Sequence, residues 1–394
     1  MSVLVWTASL ARVAADPDLD FLFREKIGDD LLGYPSPSID LARRQLTSTR
    51  RTMGTCLASF DPDVLARELT IPDLGTLTVE AWTPPCSGTP TRRWTCCATA
   101  ARSRTHRAAV LTGLREIRLE DRPEPDVAPG WVVVPIETAA LCGTDAHQYD
   151  GRVDKPFDCQ RKKLIGLWSC CLTARITVPV VNLTPRPDGV SAWQAALLEP
   201  LAVGLNTVDR LRLLLGETVI VLGQGPTGLA LTRLCALSGA GRLIVIDARE
   251  APFTVSRAYG ATDCVDVTTT DARAALLELT GGGADTVIET SGYPASSAMA
   301  LDVVRKEGKL AHTGWASDLP PLPVIPIMAK TLTVFGVVGN GGRGQYERSL
   351  ELVRTGRIDL APMVTHRLAL DDVAQAFEVA TSKTGGAIKV LVEP

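Results

Sequence analysis

The segment from Glu217 to Glu250, ETVIVLGQGPTGLALTRLCALSGAGRLIVIDARE, restricts the possible folds of the chain most strongly. A short apolar run is followed by three glycines spaced as Gly223-x-Gly225-x-x-Gly228, an apolar helical pattern and a second apolar run. In a strand–turn–helix–strand unit, the first glycine allows a tight turn, the second lets the backbone approach a diphosphate, and the third lets the helix pack close to the strand. The helix then presents free amides and its positive dipole end to the phosphates. We therefore predict a dinucleotide-binding fold.

Residues beside these glycines predict which dinucleotide is bound. Pro226 and Thr227 complete the turn, and Asp247 closes the second apolar run 19 positions after Gly228. A carboxylate at this position accepts the ribose hydroxyls of NAD and repels the 2'-phosphate of NADP. Arg249 weakens that preference slightly. The sequence thus favours NAD.

Alternating strand and helix patterns continue beyond this unit and predict an α/β fold with a doubly wound parallel Rossmann sheet. The segments ETSG (289–292) and HTGW (312–315) lie at predicted carboxyl ends of strands, where such sheets bind ligands. We therefore expect Thr290 and Gly314 to line the cofactor cleft. His312 is a candidate catalytic base, although a single histidine at a strand end is more often structural.

The composition favours a small-molecule partner. Among 394 residues, 41 Lys and Arg balance 44 Asp and Glu, so the net charge of -3 gives no reason to expect nucleic acid or an anionic membrane. The ten cysteines lack disulfide-framework spacing, which fits reduced thiols in the cytoplasm. No apolar run reaches the roughly 18 residues of a membrane span, and the apolar start of the chain lacks the basic leading segment of a secretory signal.

The first 106 residues read as an unrelated N-terminal extension. Alternating apolar residues between Leu69 and Trp82 predict a strand pair, similar to the N-terminal arm of α/β-hydrolases. The chain has no Gly-x-Ser-x-Gly nucleophile turn, which argues against hydrolase activity. Residues 84–106 contain four arginines and no acidic residue. An unstructured linker is a better explanation for them than a nucleic-acid patch.

From Arg107 onward, apolar runs and a Pro-rich turn predict a small β-rich domain that leads into ALCGTDAHQYDGR (140–152). Further along, Ser191 is placed to cap a helix. The expected apolar face of that helix comprises Ala195, Leu198, Ala202 and Leu205.

With CGTDAHQYDG, LLEPLAVGL and GQGPTGLA in this order, residues 107–394 resemble the zinc-dependent medium-chain dehydrogenases, nearest to the sorbitol and threonine dehydrogenase branch. The resemblance implies a truncated GroES-like catalytic domain at 107–200, an NAD-binding Rossmann domain at 201–344 and a C-terminal return to the catalytic domain at 345–394. It also implies oxidation of an alcohol or polyol, and a homodimer or homotetramer joined edge to edge through the nucleotide sheets.

The same resemblance implies roles for individual residues. Cys142 matches a catalytic zinc ligand, and Glu199 matches a carboxylate near the metal. Thr144 matches the hydroxyl that contacts the zinc-bound alcohol, and His147 the next step in passing its proton to solvent. Asp145 is expected to be an acid of the same turn that either stabilises the structure or hydrogen-bonds to a metal ligand. Zinc in this family stabilises the alkoxide while hydride leaves for the nicotinamide.

Part of the family pattern is absent. The second zinc ligand of the family is a histidine in a Gly-His-Glu motif, but no histidine lies between His147 and His312. The cysteine loop that holds a structural zinc is also missing, and only 25 residues, 152–176, stand where the family has a longer β-rich segment. Three interpretations stay open: an NAD-dependent alcohol or polyol dehydrogenase, a catalytically inactive NAD-binding remnant, and a zinc-free NADPH-dependent reductase.

Overall fold

A computed structural model provides the structure. It describes residues 69–71, 75–77, 105–123, 131–152, 172–179, 183–315, 322–339 and 344–394. Near the N-terminus, β1 (Leu69–Ile71) pairs antiparallel with β2 (Gly75–Leu77), as the alternating apolar pattern predicts. The remainder of that predicted strand pair, including Val79 and Trp82, lies outside the described residues.

A β-rich part follows, built from small sheets. Antiparallel pairing joins β3 to β4 and, separately, β5 to β7, while β6 belongs to a three-stranded sheet completed near the C-terminus. The elements are β3 (Thr105–Gly113), β4 (Glu116–Pro123), β5 (Trp131–Pro135), β6 (Ala139–Ala140), α1 (Gly143–Tyr149) and β7 (Arg175–Pro179).

The predicted helix after Ser191 is present as two consecutive helices, α2 (Ala192–Ala196) and α3 (Leu198–Leu211). The Ser191 hydroxyl accepts a hydrogen bond from the Gln194 amide at 3.4 Å, so the predicted cap is confirmed. All four residues of the predicted apolar face are buried. Because α3 packs on the next helix of the chain, it joins the two halves of the molecule.

The nucleotide-binding half contains a six-stranded, fully parallel sheet in the order β10-β9-β8-β11-β12-β13. This is the predicted doubly wound α/β architecture. Its strands are β8 (Thr218–Leu222), β9 (Arg242–Asp247), β10 (Asp263–Asp266), β11 (Ala284–Glu289), β12 (Val304–His312) and β13 (Thr333–Gly336). Its helices are α4 (Pro226–Leu237), α5 (Ala251–Ala258), α6 (Ala272–Thr280), α7 (Pro294–Val303) and α8 (Val324–Lys330).

Both faces of this sheet are covered. Val219 and Val221 of β8 are buried against α3 and α4, whereas Ile220 and Leu222 are buried in a second cluster with α6 and α7. A strand buried on both faces has a continuous apolar sequence instead of an alternating one, which explains the run TVIVL. Because apolar clusters cover both faces of the sheet, polar groups converge at the ends of its strands.

The last part of the chain returns to the β-rich half. After α9 (Gln345–Arg354), the strands β14 (Val364–Ala369) and β15 (Lys389–Glu393) pair in parallel, with α10 (Val373–Ser382) between them. β15 also pairs antiparallel with β6, through Leu391 opposite Ala140. Phe377 and Val390 pack into the same core as Val134 and Tyr149. No helix in the described ranges has the length and apolarity needed to cross a membrane.

Candidate dinucleotide site and catalytic centre

The turn between β8 and α4 is shaped by its glycines. Gly223 has φ +95°, and a Cβ atom on Gly228 would lie 2.0 Å from the Gly223 carbonyl oxygen. The first position therefore requires a left-handed backbone and the third a close helix–strand approach. Gly225 caps α4, and a Cβ atom there would meet nothing within 4 Å. Pro226 and Thr227 begin the helix at this open side, where its free amides can receive an anion.

A buried glutamine, which the sequence patterns did not reveal, fastens this turn. The Gln224 side chain is fully buried, and its Oε1 accepts hydrogen bonds from the hydroxyls of Thr232 on α4 and Ser256 on α5, both at 2.9 Å. Its Nε2 donates to the Gly223 carbonyl at 3.0 Å. Its backbone amide donates to Asp247 Oδ2 at 2.8 Å. One residue thus connects the phosphate turn, two helices and the predicted ribose acid.

Asp247 lies at the carboxyl end of β9, directly beside that turn. Besides the Gln224 amide, its carboxylate accepts hydrogen bonds from the backbone amide of Arg249 at 3.0 Å and from the guanidinium Nε and Nη2 at 3.1 and 3.4 Å. Arg249 also donates through Nη1 to the Ala387 carbonyl, at 3.1 Å, in the C-terminal segment. The acid and the arginine singled out in the sequence therefore form one ion pair, with the Asp247 side chain only 9% exposed.

The ends of β11 and β12 form the neighbouring edge of the crevice. Thr290 donates its hydroxyl to the carbonyls of Leu222 and Gly223, each at 2.9 Å, which ties the end of β11 to the phosphate turn. Burial raises the pKa of Glu289, whose carboxylate accepts hydrogen bonds from the Ser291 and Gly292 amides. Gly314 packs so closely that a Cβ atom would lie 2.4 Å from the Glu289 carboxylate.

His312 lies beside Glu289 in the strand register, with its Nδ1 3.9 Å from Glu289 Oε2. Burial lowers the pKa of His312, so the imidazole is neutral near pH 7. Its Nε2 is buried and has no hydrogen-bond partner among the residues the structure describes. These contacts place His312 at the carboxyl end of β12.

The residues expected to carry the chemistry cluster around α1. Cys142 caps this helix: its Sγ accepts the Asp145 amide at 3.4 Å, while Asp145 Oδ2 accepts the Cys142 amide at 2.8 Å. This reciprocal capping box explains the structural role expected of Asp145. Thr144 and His147 are half-buried and three positions apart on α1, which places them on adjacent parts of its surface.

Glu199, in the first turn of α3, and Lys389, at the start of β15, face this helix. Extending the β6–β15 register by two residues places Lys389 opposite Cys142, and Lys389 is only 3% exposed. Burial, reinforced by the charge of Asp145, raises the pKa of both the Cys142 thiol and the Glu199 carboxyl, and Lys389 partly offsets these shifts. Sequence reasoning missed Lys389 because its cross-strand neighbour is 247 positions away in the chain.

Among the residues that the structure describes, no third zinc donor joins Cys142 and Glu199. All four histidines lie in the described part of the chain, and no group of three His, Cys, Asp or Glu side chains there is placed to hold a metal ion. A catalytic zinc normally has three protein ligands and one open position. Cys142 and Glu199 supply two donors of suitable type, and the histidine that the family pattern requires is not near them.

Comparison with known proteins extends these observations. Residues 226–355 match the family model described as zinc-binding dehydrogenase. Sorbitol dehydrogenase of Bacillus subtilis (strain 168) is 28% identical over 344 residues, covering 73% of this chain and 97% of that protein. L-threonine 3-dehydrogenase of Bacillus velezensis is 29% identical over 268 residues, covering 66% and 75%. Because 73% of 394 residues is about 288, several tens of positions aligned to sorbitol dehydrogenase have no counterpart here.

Solved structures share the fold. The 2R,3R-butanediol dehydrogenase of Bacillus subtilis has a TM-score of 0.63 at 24% identity, covering 73% of this chain and 99% of that chain. A short chain alcohol dehydrogenase from E. coli CFT073, complexed with NADH, has a TM-score of 0.66 at 18% identity, covering 74% and 99%. A zinc-binding dehydrogenase from Sinorhizobium meliloti 1021, bound to NADP, has a TM-score of 0.63 at 23% identity, covering 74% and 100%.

The parallel sheet, its glycine turn and the β-rich half form the two-part architecture that these solved dehydrogenase structures share. Residues 226–355 match the zinc-binding dehydrogenase model, and the chain is an oxidoreductase similar to the named alcohol and polyol dehydrogenases.

Proposed function

We propose that this protein is an NAD-dependent dehydrogenase that oxidises a secondary alcohol or polyol, or reduces the corresponding carbonyl compound, by hydride transfer. The observation that carries the proposal is the phosphate turn at Gly225 joined through Gln224 to the ribose acid Asp247. The family relationship adds to it, since the relatives include proteins named for sorbitol and threonine.

In this proposal, the cofactor diphosphate lies against the amides that follow Gly225, including those of Thr227 and Gly228. The adenosine ribose lies at Asp247 and Arg249. Thr290 and Gly314 line the path toward the nicotinamide, because both lie at carboxyl ends of strands next to the turn.

The alcohol lies between the nicotinamide and α1. Its carbon–hydrogen bond breaks as hydride moves to the nicotinamide ring, and its hydroxyl proton leaves through the Thr144 hydroxyl to the His147 imidazole and then to solvent. The two side chains suit a relay because they are three positions apart on one helix and half-buried. No step is assigned to zinc, since the described donor set does not complete its site.

The test is turnover by the full chain with sorbitol, threonine and butanediol, followed by the absorbance of reduced nicotinamide, with and without added zinc. Turnover that is lost in Thr144→Val and retained in Thr112→Val supports the proposal. Thr112 is the matched control because its exposed hydroxyl bonds only within the β3–β4 hairpin. Absence of turnover with every substrate would exclude the catalytic part of the proposal.

A second candidate function, dinucleotide binding without turnover, is favoured by the incomplete metal site. Calorimetry distinguishes it from an enzyme: NAD binding without stoichiometric zinc, combined with no turnover, supports a binding protein.

A zinc-free reductase of activated double bonds is the third candidate function. Its test is the turnover of an enone with NADPH in the presence of a chelator.

We infer a homodimer or homotetramer acting in the cytoplasm on small molecules, without nucleic-acid or membrane partners. β13 is an edge strand of the parallel sheet, and the adjacent α8 exposes Ile325 and Met328 by 80% and 71%. Unpaired edges and exposed apolar side chains are typical of surfaces that associate. Sedimentation of the Ile325→Lys variant tests this inference. A sedimenting species smaller than the one formed by the native protein supports association through this edge.

A further inference from the structure

We propose that the adenosine-ribose site accepts a 2'-phosphorylated dinucleotide as well as NAD, because Arg249 and Lys383 supply a cationic pocket for the 2'-phosphate. This inference rests on the proposed dinucleotide function and concerns the range of cofactors at that same site. It relaxes the selectivity for NAD that the position of Asp247 alone predicts.

The carboxylate that would repel a 2'-phosphate is already engaged. Asp247 accepts hydrogen bonds from the Gln224 amide and from three nitrogens of Arg249, at 2.8 to 3.4 Å. A carboxylate has about four lone-pair sites, so these contacts leave it little capacity for ribose hydroxyls. The paired guanidinium also cancels most of its negative potential at short range. Asp247 therefore discriminates weakly between a hydroxyl and a phosphate at the 2' position.

Arg249 keeps donors for a ligand. A guanidinium carries five N–H groups in a planar fork, and the structure uses three nitrogens, once each, toward Asp247 and the Ala387 carbonyl. One N–H on each of Nη1 and Nη2 stays available. These two donors suit a phosphate, which arginine binds bidentately. The Arg249 side chain is 29% exposed, so a ligand can reach it.

Lys383 provides a second cation from the C-terminal part of the chain. It ends α10 in a left-handed conformation, φ +58°, and begins a turn that continues through Gly385 and Gly386 with φ +60° and +72°. The turn packs on the nucleotide half, since a Cβ atom on Gly386 would lie 3.2 Å from Ala251 Cβ. Among the described residues, none accepts a hydrogen bond from the Lys383 ammonium.

The electrostatic surroundings of Lys383 agree with a crowded cationic pocket. Burial lowers its pKa to about 8, and the charges of Arg249 and Lys389 add to this effect, whereas Asp247 opposes it. A half-buried ammonium surrounded by like charges is stabilised when an anion binds beside it. A 2'-phosphate next to Arg249 would provide that anion. A 2'-hydroxyl would not.

The experiment compares NADPH with NADH on the full chain, by the fluorescence of the reduced nicotinamide, and compares 2',5'-ADP with 5'-AMP to isolate the ribose end. The variants are Arg249→Ala and Lys383→Ala. Arg257→Ala is the matched control, because it removes one exposed positive charge from α5 without a contact to Asp247. Thermal unfolding of each variant reports whether the fold persists.

We expect NADPH and NADH to bind the native chain within about tenfold of each other, which corresponds to about 1.4 kcal/mol. Arg249→Ala should weaken the binding of NADPH about tenfold more than that of NADH, because only NADPH carries the 2'-phosphate that loses a charged partner. Lys383→Ala should weaken NADPH by a smaller factor, and Arg257→Ala should change neither.

Binding of NADH alone by the native chain would overturn this inference and leave the proposed function standing. Binding of neither dinucleotide would overturn both. If Arg249→Ala unfolds, two measurements still test the inference: the affinities of NADPH and NADH for the native chain, and the affinity of NADPH for Lys383→Ala. An NADPH affinity that is equal in the native chain and in Lys383→Ala contradicts the cationic pocket. An equal loss of NADH and NADPH in the variants would also contradict it.

Discussion

The nucleotide-binding half and the catalytic half differ in how their sites are assembled. In the nucleotide half, the phosphate turn, the buried glutamine and the ribose acid all lie between positions 223 and 249, on consecutive elements of one parallel sheet. In the catalytic half, Cys142, Glu199 and Lys389 come from three distant segments. The phosphate turn and the ribose acid are encoded locally and need only their own strand–turn–helix–strand unit, although Thr290, Gly314 and Lys383 join them from later segments. A site assembled from distant segments depends on every segment, and the described residues here supply only two zinc donors.

The strongest test of this contrast is Gly228→Val. A Cβ atom at this position would lie 2.0 Å from the Gly223 carbonyl, so the helix must move away from β8. We expect NADH binding to be lost and the free energy of unfolding to fall by about 3 kcal/mol or more, since overpacking against backbone has no flexible group to yield. Chemical denaturation and NADH titration measure the two effects.

Gly225→Ala is the matched control for Gly228→Val, because its added methyl group would meet nothing within 4 Å. Its unfolding free energy should change by less than about 1 kcal/mol, while NADH affinity falls if the diphosphate occupies that space. Equal loss of stability in Gly225→Ala and Gly228→Val would contradict the account of the turn.

A second prediction concerns Gln224. Gln224→Leu removes the hydrogen bonds to Thr232, Ser256 and the Gly223 carbonyl, so we expect destabilisation of about 1–3 kcal/mol and about tenfold weaker NADH binding. Thr286→Val is the control, since its buried hydroxyl bonds to Glu217 at 2.9 Å at the other end of the same sheet.

Calorimetry measures the effect of each substitution on NADH binding, and thermal unfolding measures its effect on stability. Thr286→Val should lower the unfolding temperature without changing NADH affinity. If Gln224→Leu behaves in the same way as Thr286→Val, Gln224 is a stabilising residue only and does not position the cofactor.

These two sites show what the sequence can and cannot reveal. Glycine spacing, the apolar strands and Asp247 are local patterns, and alternating strands and helices predict a parallel sheet. The contacts of Gln224 have no such pattern, because a polar residue between two glycines is indistinguishable from a solvated turn residue until α4 and α5 enclose it. Likewise, the pairing of Lys389 with Cys142 depends on a register between strands from opposite ends of the catalytic half. The sequence places Arg249 two positions after Asp247, but it reveals neither their ion pair nor the hydrogen bond from Arg249 to the Ala387 carbonyl.

A third prediction concerns pH. The pKa of Lys383 is lowered to about 8 by burial and by the charges of Arg249, Lys389 and Arg152, with Asp247 opposing. Protonated Lys383 favours an anionic ligand, so NADPH affinity should be greatest below pH 8 and decline as the pH rises through this value. A phosphate monoester with its second pKa near about 6 is already ionised in this range. Affinity titrations between pH 7 and pH 9 measure the decline, and Lys383→Met should abolish it.

The smallest effect is expected in the catalytic half. Tyr149 donates to Glu378 Oε1 at 2.7 Å and joins α1 to α10. Since Glu378 is exposed, Tyr149→Phe should cost at most about 1 kcal/mol of unfolding free energy and leave NADH affinity unchanged. A large loss of NADH affinity in Tyr149→Phe would show that the two halves are coupled more tightly than these contacts suggest.

The measurement that tests the central contrast most directly is calorimetric titration of the purified full chain, first with NADH and then with zinc. The account predicts one NADH site per chain and no tightly bound, stoichiometric zinc. Failure to bind NADH, or one zinc held tightly per chain, would contradict it.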